Sequence, residues 1–234
     1  MIRADLHIHS CLSPCGSLEL SPLSIVKRAL KAGLQAVALT DHNSCRNSPA
    51  MAKVCAAAGL PCLHGMEACT VEEIHALCLF DTLAPALELS DYIHARLPDI
   101  PCIKKLGEQI VVNEKDEVEE WEERYLGSGA SITFTDLCAH VLNAGGLFIP
   151  SHIDRPAHSL LSQLGRVPDL PYSAVEISPW YDLKKDPLKV VKKYPLIGNS
   201  DSHLEEQLGT RWTEYEGDTI SVKHFRPLRI HAGF

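Results

Sequence analysis

Residues 5–10 read DLHIHS. Side chains two apart on a strand point the same way. The stretch therefore puts Ala4, Leu6 and Ile8 on one face and Asp5, His7 and His9 on the other. Residues 4–9 are expected as a first strand with His9 at its C-terminal end, the end at which parallel α/β sheets and barrels carry their sites. One His-x-His is weak evidence alone, but the pattern returns. ALTDHN (38–43) closes a second apolar run with Asp41 and His42, and HGME (64–67) closes a third with Glu67. FIPSH (148–152) closes a fifth with His152, and NSDSH (199–203) follows a seventh with Asp201 and His203. His75, in EEIHAL (72–77), stands at the start of a fourth. Twelve randomly scattered histidines would not collect at strand ends in this way. His64 alternates away from Glu67 and is expected to pack outside, while His158 follows the fifth strand closely enough to reach the same edge.

Strands are expected at 4–9, 36–41, 62–67, 75–80, 147–152, 174–177 and 196–199. Helices are expected at 22–32, 49–58, 85–97, 136–143, 159–164 and 187–194, several opened by Pro or closed by Gly. Repeated β-then-α units imply a parallel sheet, open or closed into a barrel. Residues 98–129 break the rhythm. They contain EKDEVEEWEERY (114–125), which looks like an acidic helix. A connection this long reads either as a lid-like insertion, at about 98–130, or as a solvated surface segment. Residues 1–234 are otherwise expected to form a single domain.

The totals narrow the function. A chain of 234 residues, 45% hydrophobic and 22% charged, is ordinary for a globular protein. Its formal net charge of -8 argues against broad binding to nucleic acid, which needs a basic face. The nine cysteines are odd in number, lie mostly in apolar runs and include no CxxC pair, as expected of reduced thiols in a cytoplasmic protein. The first strand begins so early that no cleaved leader is expected, and no apolar run approaches the ~20 residues of a membrane span.

Six imidazoles and two carboxylates exceed what one cation needs, since tetrahedral zinc takes four ligands and a catalytic site leaves one to water. With one bridging carboxylate the set suits two or three divalent ions. Such clusters generate hydroxide near neutral pH and clamp an anionic substrate, which makes a positive pocket in an acidic protein. Arg155, three residues after His152, is a candidate clamp because guanidinium meets phosphate in two-pronged fashion. It reads equally as a structural ion pair.

The motifs DLHIHS, LTDHN, GMEACTVEEIHAL, IPSHIDRP and NSDSH, in this order over residues 5–203, resemble the PHP family, named for polymerase and histidinol phosphatase. The resemblance implies a distorted seven-stranded β/α (TIM-like) barrel. It also implies up to three metals, usually zinc, manganese or iron, and hydrolysis of phosphoric esters, as in histidinol phosphatases. By it, His7, His9, Glu67 and Asp201 would hold one ion, and Glu67 would bridge to a second held also by His75 and His152. His42 and His203 would hold a third. The ninth position, usually His or Asp, falls at Cys15: a thiolate ligand favouring a softer ion such as zinc, a thiol packed with Cys11, or an empty third site. Glu67, Asp201 and Arg155 are the expected catalytic residues. The expected activity is a metal-dependent phosphoesterase acting on a small phosphorylated metabolite through a metal-activated hydroxide in a di- or trinuclear site. The alternatives are a non-catalytic, metal-stabilised binding or scaffold module and a PHP nuclease.

Overall fold

The structure, a computed structural model, describes residues 1–232, apart from the side chain of Lys104. Strands β1 (Ile2–Ile8), β2 (Ala36–Leu39) and β3 (Cys62–Cys69) alternate with helices α1 (Pro22–Lys31) and α2 (Ser48–Ala58) and pair in parallel. Helix α1 forms where that spacing predicts it. Ser21 caps it by accepting from the Ser24 amide, Pro22 opens it, and Ile25, Val26 and Ala29 form its buried stripe.

Strand β4 (His75–Phe80) departs from the all-parallel expectation: it runs antiparallel to β3, with Cys69 opposite His75. The physical reason is the length of the link. Residues 70–74 are too few for a parallel crossover, which needs a dozen or more. The reversal brings His75, at the start of its strand, to the rim where β3 ends.

Helix α3 (Leu83–His94) leads into the long connection, which holds a hairpin of β5 (Ile110–Val112) and β6 (Val118–Trp121) where an acidic helix is expected. The Asn113 side chain accepts from the amides of Lys115 and Glu117, and this local turn displaces helical bonding. The hairpin is clasped onto the first loop. Ile110 donates to the Cys11 carbonyl, Asn47 bonds both Ile110 and Val112, and a Cβ at Gly107 would collide with the Pro14 carbonyl.

The remaining elements are α4 (Phe134–Asn143), β7 (Leu147–Pro150), α5 (Leu160–Leu164), β8 (Val175–Glu176), β9 (Leu196–Ile197) and a hairpin of β10 (Arg211–Tyr215) and β11 (Pro227–Ala232). The order β11-β10-β1-β2-β3-β4-β7 makes one curled sheet, and β8 and β9 pair beside it. Backbone bonds from Ser173 to Phe148 and from Ile153 to Glu176 join β8 to β7, and a bond from His9 to Ser202 joins the chain after β9 to β1. β1, β2, β3, β4, β7, β8 and β9 thus close a distorted seven-stranded α/β barrel, the fold expected from the sequence. The C-terminal hairpin on the outer edge of β1 is not among the expected elements. Neither is the structure of 187–194, which is not helical: the Asp186 carboxylate takes the amides of Val190 and Val191 that a helix would use internally.

Small and branched side chains fill the interior, among them Ala4, Leu6, Ala36, Ala38, Leu77 and Ile149. Ile8 instead packs outside, with α1 and α2. A bulge between Asp5 and Ile8 causes the switch and corrects the simple two-face reading of the first strand. Asp5 leaves the face that carries His7 and His9 and accepts from the amides of Ser200 and Gly209. Among the described residues, no helix is long and apolar enough to cross a membrane.

Candidate metal centre

The rim of the barrel gathers the predicted side chains around Glu67, which is buried at the end of β3. His7, His9, Glu67 and Asp201 each bring one donor atom within 4.8 Å of the others. The separations are 3.3 Å for His7 Nε2 to Glu67 Oε1, 3.5 Å for His9 Nε2 to Glu67 Oε2, and 3.2 Å from either Nε2 to Asp201 Oδ1. Two ligands at about 2.0–2.2 Å from one tetrahedral ion lie about 3.3–3.6 Å apart, so these spacings fit a common cation.

Tautomers point the same way. His7 Nδ1 lies 2.9 Å from Glu176 Oε2 and donates to it, which leaves Nε2 as the atom facing Glu67 and Asp201. Ser13 Oγ donates to Asp41 Oδ1 at 2.7 Å and therefore accepts from His9 Nδ1 at 3.0 Å, which frees His9 Nε2 as well. His203 Nδ1 donates to the Asp201 carbonyl at 3.0 Å. Among the described residues, Asp201 Oδ1 and His152 Nδ1 are buried without a hydrogen-bond partner, and buried polar atoms rarely stay so. The donor set fits divalent cations, more than one of them.

The outer groups lie around the two oxygens of Glu67, with His75 and His152 at Oε1 and His42 at Oε2. His42 Nδ1 and His75 Nδ1 lie 3.2 Å from opposite oxygens of Glu67, and His152 Nε2 lies 3.1 Å from Oε1. His42, Glu67 and His75 form one further group, and His9, His42 and His203 another, so His42 is shared. Cys15 Sγ is 3.2 Å from His42 Nε2, close to the spacing of two ligands, but Cys15 joins none of these groups. Arg155 pairs with Asp201 Oδ2, and its side chain is one-third exposed. His158 stacks on His75 with centroids 4.6 Å apart and lines the same cleft, whereas His64 faces away from it.

Glu176 is absent from the expected set. Its Oε2 takes His7 Nδ1 and, at 3.1 Å, the His152 amide, and its Oε1 accepts from Asn199 Nδ2 at 2.7 Å. A lone charge inside the apolar stretch AVEI (174–177) is the signal that marks it. Asp41, read as a rim residue, instead orients others: Ser10 and Ser13 donate to it. Two rim residues hold unusual backbone, with φ of 28° at His152 and 50° at Asp201, the kind of strain that sites retain.

The charges interlock. Burial opposes a proton on His7, but Asp201, Glu176 and Glu67 outweigh it and hold the pKa well above the ordinary imidazole value. Burial likewise opposes, and Glu67 overcomes, at His75, whose pKa is raised to about 10. Burial and the neighbouring His203 push His9 down to about 4, and burial with His9 holds His42 well below its usual value. Burial works against ionising Glu67, yet His75 and His7 keep it well below the carboxylate range. Burial and Glu67 push the Cys15 thiol up to about 12.

The PHP domain family matches residues 5–157. An uncharacterized protein of Methanocaldococcus jannaschii is 33% identical over 138 residues, taking in 50% of this chain and 80% of the relative. The lesion-specific endonuclease Q of Pyrococcus furiosus superposes with a TM-score of 0.65 at 19% identity, covering 93% of this chain and 53% of that one. A candidate metal-dependent phosphoesterase of Bifidobacterium adolescentis gives 0.62 at 18% identity, covering 86% and 87%. The chain thus spans about half the length of the endonuclease. At these identities the likeness carries the fold.

Proposed function

The chain belongs to the PHP domain family, and from that premise we propose that it is a metal-dependent hydrolase of phosphoric esters. The observation that carries this reading is the convergence of His7, His9, Glu67 and Asp201 at ligand-to-ligand spacings, with further imidazoles around the same carboxylate. In this reading His7, His9, Glu67 and Asp201 would hold one ion, Glu67, His75 and His152 would hold a second, and His42, His203 and Cys15 would hold a third. Zinc, manganese or iron suits this mixture of imidazole and carboxylate. When bound, such ions supply Lewis acidity toward phosphoryl oxygens and bring the pKa of water near neutrality.

The chain's own groups do the rest. Glu176 and the Ser13–Asp41 pair keep His7 and His9 in the tautomers that turn Nε2 inward. Arg155 lines the cleft beside Asp201 and can give two N–H groups to a phosphate. Burial and the neighbouring His75 lower the pKa of His158, whose ring borders the cleft. The cleft of about 210 Å³ suits a small phosphorylated metabolite. The acidic net charge no longer argues strongly against nucleic acid, because the fold is shared with a lesion-specific endonuclease. Polynucleotides therefore belong in the test.

The test is a phosphate-release screen of the metal-loaded protein over phosphomonoesters, phosphodiesters and oligonucleotides. Turnover of at least one class, abolished by chelation and restored by metal, is expected. Metal uptake without turnover across the screen would leave a metal-stabilised binding module instead.

A further inference from the structure

Trp180 is 79% exposed, an unusual state for an indole, and it stands beside the metal centre. With Arg155, Asp201 and His152 it lines a compartment of about 310 Å³, and those three residues also line the cleft that holds the donor cluster. The two cavities are therefore neighbours, with Arg155 between them.

The backbone under Trp180 is fixed on both sides. The Asp154 carboxylate accepts from the Ser178 amide at 2.8 Å and from the Ser178 hydroxyl, and Ser178 Oγ accepts from the Trp180 amide at 3.2 Å. The buried Arg211 guanidinium donates to the carbonyls of Ile177 and Ser178. On the other side Tyr181 packs into the core and its hydroxyl donates to Asp186. An exposed ring on a braced turn loses little freedom when something stacks on it. Asp154, the residue before Arg155, ties the turn to the segment that carries the clamp. Gln207 lines the same compartment. Its Oε1 is taken by the amides of His203 and Leu204, which leaves its NH₂ to donate. The segment is also locally basic in an acidic chain: residues 180–194 hold five lysines and two aspartates. Among the described residues, Lys184, Lys189 and Lys192 enter no ion pair.

We propose that Trp180 is the stacking platform for a nucleobase, so that the substrates are nucleoside phosphates whose ester lies at the donor cluster while the base stacks on the indole. The proposal rests on the phosphoesterase reading and names its substrate class. Stacking tolerates any base because each has a π-face, Gln207 offers an edge donor, and Arg155 lies where the phosphate must pass. A free nucleotide and the terminal nucleotide of an oligonucleotide share this chemistry.

The test uses the metal-loaded protein with Trp180→Ala and Trp180→Phe. Substrates are a nucleoside monophosphate, a short single-stranded oligonucleotide with a terminal phosphate, and glycerol phosphate, which has no base. Trp180→Ala should raise KM for base-bearing substrates about 5- to 100-fold more than for glycerol phosphate, and Trp180→Phe should recover most of the loss. Nucleotide should also quench tryptophan emission in the parent and much less in Trp180→Ala, a binding readout independent of turnover. Saturation by the mononucleotide as tight as by the oligonucleotide assigns the site to free nucleotides. Tighter oligonucleotide binding assigns it to strand ends. Equal losses on glycerol phosphate, or no quenching, overturns the proposal while leaving phosphoesterase activity measurable. Quenching without hydrolysis of any ester would instead sink the phosphoesterase reading and keep the base site.

Discussion

Replacing Glu176 by Gln changes one atom and breaks a bond count that can be worked out in advance. Glu176 Oε2 accepts from His7 Nδ1 and the His152 amide, and Oε1 accepts from Asn199 Nδ2. A glutamine can keep its oxygen toward His7 and His152, but its NH₂ then faces the Asn199 NH₂. Asn199 cannot turn over to relieve this, because its Oδ1 accepts from the Leu6 amide at 2.9 Å. If the glutamine turns over instead, two donors meet His7 and His152. In the better arrangement one buried hydrogen bond is lost and two donors collide, a cost of about 1–3 kcal/mol. Part falls on stability and part on His7, whose imidazole also loses the charge that fixes its tautomer. Metal affinity is expected to fall about 10- to 100-fold, as is usual when a ligand's outer partner is removed. Competition against a chromophoric chelator measures the affinity, and phosphate release at saturating metal measures what remains. A Glu176→Gln protein that binds metal as tightly as the parent would refute the claim that His7 is held for an ion.

Arg155→Lys keeps the charge and loses the fork, so KM for the phosphoester should rise while metal content, read by elemental analysis, stays constant. Equal kinetics in parent and variant would leave Arg155 with only its pairing to Asp201. Cys15→Ala should hold one ion fewer than the parent while keeping the others, and identical stoichiometry would mean that the thiol merely packs beside His42. Metal uptake should release protons, because an ion must displace those that acidic neighbours hold on His7 and His75. With His75 raised to about 10, apparent affinity should climb with pH across neutrality and weaken as pH falls. Calorimetry in buffers of different ionisation enthalpy reads the released protons, and a buffer-independent heat would contradict the assignment.

The rim was legible because side-chain types and strand ends coincided. His7, His9, His42, Glu67, His152, Asp201 and His203 all follow apolar runs short enough to be strands, and all lie at the cluster. What stayed hidden depends on partners or on local bonds that a period cannot report. The bulge in β1 leaves the alternation of apolar residues untouched, yet it turns Ile8 outward and separates Asp5 from the face of His7 and His9. Reversal of β4 was readable, since five residues cannot make a parallel crossover, but the β-then-α rhythm around it pointed the other way. Residues 187–194 carry a helical spacing that the Asp186 carboxylate defeats by bonding two of their amides. The hairpin of β10 and β11 alternates in RWTEY, although nothing local says that it pairs with β1.

The most direct test of the account is a titration of the chelator-stripped protein with zinc or manganese, following bound ions and phosphate release together on the best substrate of the screen. The account predicts no release without metal, a rise that tracks uptake, and a plateau at two or three ions per chain. A plateau at one ion, or release that persists in excess chelator, would contradict it.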